Sequence, residues 1–155
     1  MKKRILTILA ACLILMLAGC GTTYEDTNGP DNFSLQTITE QNILKLDVGA
    51  SGLSYTEEEF GDFLHSSEYS SKNFNGVQEI YQTNFLLPSY AEVYIGHLNV
   101  KKGNFQLSVI NNGEIILNIP LDSFGESYCF ENLTGSFSVH VAGESAAFDF
   151  YIDVR

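Results

Sequence analysis

The chain has 155 residues, 45% hydrophobic and 12% aromatic, with eight basic residues against nineteen acidic ones for a net charge of −11. That length suits one domain with one core. The acidic balance disfavours nucleic acid and anionic lipid headgroups as partners, and no internal repeat at solenoid spacing is present.

The first element is a leader. Lys2, Lys3 and Arg4 precede an apolar run from Ile5 to Ala18, and small residues lead into Cys20. This is the layout of a secretory signal peptide. The run falls short of the roughly 20 apolar residues that span a bilayer. Leu17-Ala18-Gly19-Cys20 resembles the lipobox of bacterial lipoproteins, matching it at all four positions. The resemblance implies that the Cys20 thiol is alkylated with diacylglycerol, that residues 1–19 are removed by lipoprotein-processing enzymes, and that Cys20 becomes the N-terminus. Two acyl chains supply stable attachment, so the membrane is an expected partner and the domain is expected outside the cytoplasm. It would sit on the outer face of the cell membrane, or at the outer membrane of a two-membrane host, since Gly21 stands where an Asp often marks inner-membrane retention. Loss of the leader leaves five basic and nineteen acidic residues, a net charge of −14.

Residues 20–41 are polar and read as a lipidated N-terminus followed by a flexible tether. Residues 42–155 form the domain. Leu44, Leu46 and Val48 alternate as a first strand, and 77–85 and 92–100 give two more. Phe105, Leu107 and Val109 alternate with Gln106 and Ser108, as do Phe137, Val139 and Val141 with Ser136, Ser138 and His140. Phe148, Phe150, Ile152 and Val154 close the pattern, with 115–119 and 127–131 between. Turn chemistry separates these runs at 101–104, 111–113, 132–135 and 143–145, and Asn112-Gly113 predicts a type I′ hairpin. The predicted fold is all-β: an antiparallel β-sandwich or jelly roll of about eight strands, with one short helix near 56–65 where Thr56 and Glu59 are spaced as a capping box.

Sites of chemistry are sparse. Cys12 leaves with the leader and Cys20 is blocked by lipid, which predicts that Cys129 is a buried, inert thiol without a disulfide. His65, His97 and His140 lack close metal-ligand spacing and read as strand-face residues. Glu57 and Asp62 would matter as paired carboxylates only across a cleft, and Asn111-Asn112-Gly113-Glu114 reads as a turn rather than a calcium loop. No cofactor or metal is expected. Tyr55, Tyr69, Tyr81, Tyr90 and Tyr151 fall in loops or on the polar phase, and Tyr55, Tyr90 and Tyr151 are the binding candidates, offering rings to a glycan or an envelope protein. From residue 91 onward, the strand after a Lys-Gly turn, the Asn-Gly hairpin and the segment 130–139 resemble small β-sandwich modules of exported bacterial proteins, including pre-peptidase C-terminal domains. Phe74-Asn75-Gly76-Val77 resembles uncharacterised Gram-positive lipoproteins. The functional expectation is a ligand-binding or interaction module of the envelope, with a structural accessory subunit as the alternative. Missing catalytic motifs predict that it is not an enzyme.

Overall fold

The computed structural model describes residues 35–59 and 65–155, with backbone only at 57–59. The leader, Cys20, most of the tether and Asp62 lie outside the described residues.

One helix, α1 (Glu40–Lys45), is followed by β1 (Ser54–Glu59), β2 (His65–Asn111), β3 (Glu114–Asn118) and β4 (Glu126–Val154). All strand pairings are antiparallel. The two long strands bend and re-pair, so that eight segments follow β1. In the first sheet the order is β1, 65–71, 148–154, 92–100, 126–130; in the second it is 76–85, 135–143, 104–111, β3. Consecutive segments within each of the two long strands thus alternate between sheets, which is jelly-roll topology. The expected fold class holds.

The sheets meet over a dense aromatic core. Phe105, Leu107, Val109, Phe137, Val139, Val141, Phe148, Phe150 and Ile152 share one buried cluster, with Phe105 and Phe148 ring centroids 4.5 Å apart. These are the residues whose two-residue period placed them inside. Three expected turns prove to be something else: 101–104, 132–135 and 143–145 lie within paired strand rather than joining separate hairpins. At the bend, Gly103 takes φ +74, and a Cβ there would collide with the Ser145 backbone. Glycine is therefore what lets the two strands cross between sheets so closely. Asn112-Gly113 is the predicted hairpin, with φ of 50° and 76°.

Four local expectations are corrected. Residues 56–59 and His65, expected in a helix near 56–65, are strand, because Ser54 to Glu59 of β1 pair in register with Ser70 to His65, and residues 60–64 lie outside the described residues; sheet pairing overrides a capping-box spacing. The helix lies instead at 40–45, where Thr39 and Asn42 exchange side-chain and backbone hydrogen bonds as a true capping box and Leu46 ends the helix at φ 53. The alternation of Leu44, Leu46 and Val48 therefore reflects no strand. Tyr69, expected toward water, is buried and donates its hydroxyl to the Ile80 carbonyl at 3.2 Å. Cys129 is half-buried and disulfide-bonded rather than an inert buried thiol; the chain's other cysteines, Cys12 and Cys20, lie outside the described residues.

The stretch before β1 is part of the domain's structure. Ile38, Ile43, Leu35, Leu44 and Val48 pack with Val77, Ile110, Ala142 and Ile115 in a second apolar cluster, covering the outer face of the second sheet. Beneath this strap His140 is buried. Its Nδ1 lies 2.8 Å from the Ile43 carbonyl, which can only accept, so Nδ1 carries the proton; Nε2 faces Ser138 Oγ at 3.0 Å and Glu79 Oε2 at 3.3 Å. Ser138, expected at the surface, is buried with it. Residues 35–41, assigned by sequence to the tether, are thus held against the sheet.

Candidate functional site

One carboxylate fastens the strap. Glu144, at the bend in β4, accepts from the Gln36, Thr37 and Ile38 backbone N–H groups at 2.8, 2.6 and 2.9 Å, from Thr37 Oγ1 at 2.7 Å, and from Asn104 Nδ2 at 2.9 Å. Burial alone would raise its pKa, but the Asn104, Gln36 and Thr37 hydrogen bonds outweigh it and hold the carboxyl well below the usual carboxylate range. Three successive backbone amides converging on an anion form a nest.

On the other side of the same bend lies an open groove of about 500 Å³, lined among others by Ser54, Ser70, Lys72, Asn73, Lys101 and Asp149. Pairing explains why these residues meet. Ser54 of β1 is in register with Ser70, Ser70 with Asp149, and Asp149 with Asn99, two residues before Lys101. One wall is stiffened locally: Ser71 Oγ donates to the Gly52 carbonyl at 2.8 Å, Asn73 N–H donates to Ser71 Oγ at 3.1 Å, and Ser51 and Asn75 exchange backbone hydrogen bonds. In the other wall Asp149 forms an ion pair with Lys101 and lies 3.6 Å from His97 Nε2. Lys102 follows at the bend, in register with Ala147.

The charge distribution is uneven. Beyond the leader the basic residues are Lys45, Lys72, Lys101, Lys102 and Arg155, and three of these five gather at the bend. The groove thus offers two ammonium groups, hydroxyl and amide partners, and one carboxylate already engaged by Lys101. It suits a ligand that brings a negative charge beside hydroxyls. No group of three or more His, Cys, Asp or Glu side chains is placed to hold a metal among the described residues.

The tyrosine candidates do not come together. Tyr55 is in register with Tyr69 and through it with Phe150, so it extends the inner row to the sheet edge, 57% exposed. Tyr151 is on the opposite face, hydrogen-bonded to Ser66 Oγ at 2.5 Å, its ring where any Cβ on Gly96 would fall. Tyr90 donates to Cys129 Sγ at 3.1 Å, and burial, then Glu92 and Glu131, push its phenol pKa up. The groove residues were missed because Lys101-Lys102-Gly103-Asn104 reads in sequence as turn chemistry. The available signal was the scarcity of basic residues in so acidic a chain.

No family model and no curated protein matches the chain. Among solved structures, it is similar to a cupin domain from Bordetella pertussis at 10% identity and a TM-score of 0.37, over 67% of this chain and 92% of that one. It is similar to an RmlC-like cupin protein from Desulfovibrio desulfuricans at 10% identity and a TM-score of 0.33, over 86% and 96%, and to KdgF from Halomonas sp. at 13% and 0.30, over 65% and 78%. These values assign no activity, substrate or site to this chain. The prediction that the chain is not an enzyme is withdrawn.

Proposed function

We propose that the chain is a lipid-anchored, extracytoplasmic jelly-roll domain that binds a ligand carrying an anionic group in the groove at the bend. The observation that carries this reading is that Lys72 and Lys101 line a groove in a domain otherwise dominated by acidic residues. The leader and Leu17-Ala18-Gly19-Cys20 support the anchor. Acylation of Cys20 and a disulfide at Cys20 exclude each other chemically. Intact mass with and without reductant separates the two, and a purified protein without the mass of a diacylglycerol group sinks the anchor.

The binding reading is tested with glycan and peptide arrays that pair each neutral ligand with its carboxylated or phosphorylated counterpart. Charged ligands should be preferred, and Lys101→Ala and Lys72→Ala should each weaken binding about tenfold, the scale of one charge-assisted contact, with circular dichroism unchanged. Full binding in both variants refutes the groove as the site. A structural accessory role is a second reading, favoured by Leu86 and Leu87, which are 91% and 74% exposed where 76–85 turns toward 89. Cross-linking from position 86 in native membranes to one stoichiometric protein partner would support it.

A further inference from the structure

The groove does not end at Asp149. Along 148–154 the inner phase is Phe148, Phe150, Ile152 and Val154, so Asp149 and Tyr151 share the outer face, about 7 Å apart at the rise of a strand. Glu68 and His97 are in register with Tyr151 on either side, as Ser70 and Asn99 are with Asp149. The face that carries the groove thus continues to a tyrosine ring flanked by polar residues.

That ring is fixed in place. A shift of register between Ile95 and His97 brings Gly96 beside it, and a Cβ on Gly96 would come within 2.8 Å of the Tyr151 ring. Glycine therefore lets the ring lie against bare backbone. Its hydroxyl is tied to Ser66 Oγ at 2.5 Å, and the Tyr94 ring meets it edge-on, centroids 6.5 Å apart at 74°. Tyr151 is nonetheless half-exposed. An aromatic surface immobilised in advance costs a ligand little ordering entropy.

The polar partners are divided along this face. Asp149 is engaged by both Lys101 and His97, so Lys72 is the groove cation with no carboxylate partner among the described residues. Beside the ring, Glu68 and Asn99 are exposed and make no side-chain hydrogen bond or ion pair among the described residues. A ligand that fits brings an anion at one end and, next to it, an apolar ring face edged by hydroxyls. The strands 65–71, 148–154 and 92–100 are paired on both sides, so this face offers a peptide no backbone ladder to extend.

Resting on the groove proposed above, we infer that its ligand is an acidic oligosaccharide. One sugar ring stacks on Tyr151 with its hydroxyls bonded to Glu68 and Asn99, and the carboxylate or phosphate of a neighbouring sugar meets Lys72 and Lys101.

The full-length protein, in a detergent without a sugar headgroup, is titrated with gluco- and galacto-configured tetrasaccharides. Each is supplied with one uronic acid, with one phosphate, and in neutral form, alongside the free uronic acid. Sugar C–H protons of the acidic tetrasaccharides should shift upfield in NMR spectra, as ring stacking requires, and the free uronic acid should bind far more weakly. Tyr151→Leu should weaken binding about tenfold, and Tyr151→Phe, which keeps the ring and loses only the Ser66 bond, should stay within about twofold. Gly96→Ala, whose Cβ displaces the ring, should act in the direction of Tyr151→Leu, with circular dichroism unchanged. Full binding of the acidic tetrasaccharides by Tyr151→Leu and Gly96→Ala overturns the inference and leaves the groove in place, provided that Lys72→Ala and Lys101→Ala still weaken it. Full binding in both lysine variants refutes the groove reading itself. No binding of any tetrasaccharide, or an acidic peptide bound more tightly than every sugar, also overturns the inference.

Discussion

The outer faces of the two sheets obey the same alternation, and parts of them meet opposite fates. On the first sheet, Lys101, Asp149 and His97 occupy the outer phase and remain in contact with solvent as an ion-pair network. On the second, the equivalent phase holds Ser138, His140 and Ser108, all buried, because α1 and its flanks lie across it. A polar phase in a strand therefore declares only that a side chain points away from the main core. Whether it meets water depends on what else the chain brings to that face.

The largest effect belongs to the core the two sheets share. Phe148→Ala should cost about 3 to 5 kcal/mol, because its ring contacts Phe74, Phe105 and Phe150 at the bend; denaturant unfolding measures it. Ile43→Ala should cost roughly 2 to 5 kcal/mol if the strap makes the second outer face a core in its own right. A loss below about 0.5 kcal/mol, the range of surface changes, would place that face with the solvated one.

The third prediction releases the strap without disturbing its apolar contacts. Glu144→Gln should cost roughly 1 to 3 kcal/mol, and hydrogen exchange should rise at 36–38 before it rises in β4. The pH dependence has a definite sign. The folded-state pKa of Glu144 is lowered, so its stabilisation is complete above the ordinary value near 4.5 and is lost as pH falls below it. Acid should loosen the strap selectively, and Glu144→Gln should remove that pH dependence. The smallest effect is expected on the solvated face: Asp149→Asn should change stability by about 1 kcal/mol or less, as for exposed ion pairs. A larger loss would show that the first outer face also holds structural weight.

Much of the fold was legible because its signals were local. The period of two at 105–109, 137–141 and 148–154 placed the core residues correctly, and Asn112-Gly113 declared its own turn. The capping-box spacing at Thr56 misled because β1 gains a full set of ladder hydrogen bonds by pairing with 65–70. The capping box at Thr39 was passed over because Asn42 stands in place of the usual Glu or Gln. The three tyrosines attracted attention as large rings on a polar phase, yet Tyr55 and Tyr151 project from opposite faces.

The sequence by itself determined the all-β class, the residues of the main core, the acidic surface and the expectation of export, since each depends on composition or on neighbours a few positions apart. Only the tertiary structure decided that residues 35–48 roof the second sheet, that His140 is buried beneath them, and that Ser54, Lys72, Lys101 and Asp149 line one groove. These depend on strand register and on contacts between residues up to 108 positions apart, such as Gln36 with Glu144. Such contacts form only when the bends bring distant segments together, and no local period encodes them.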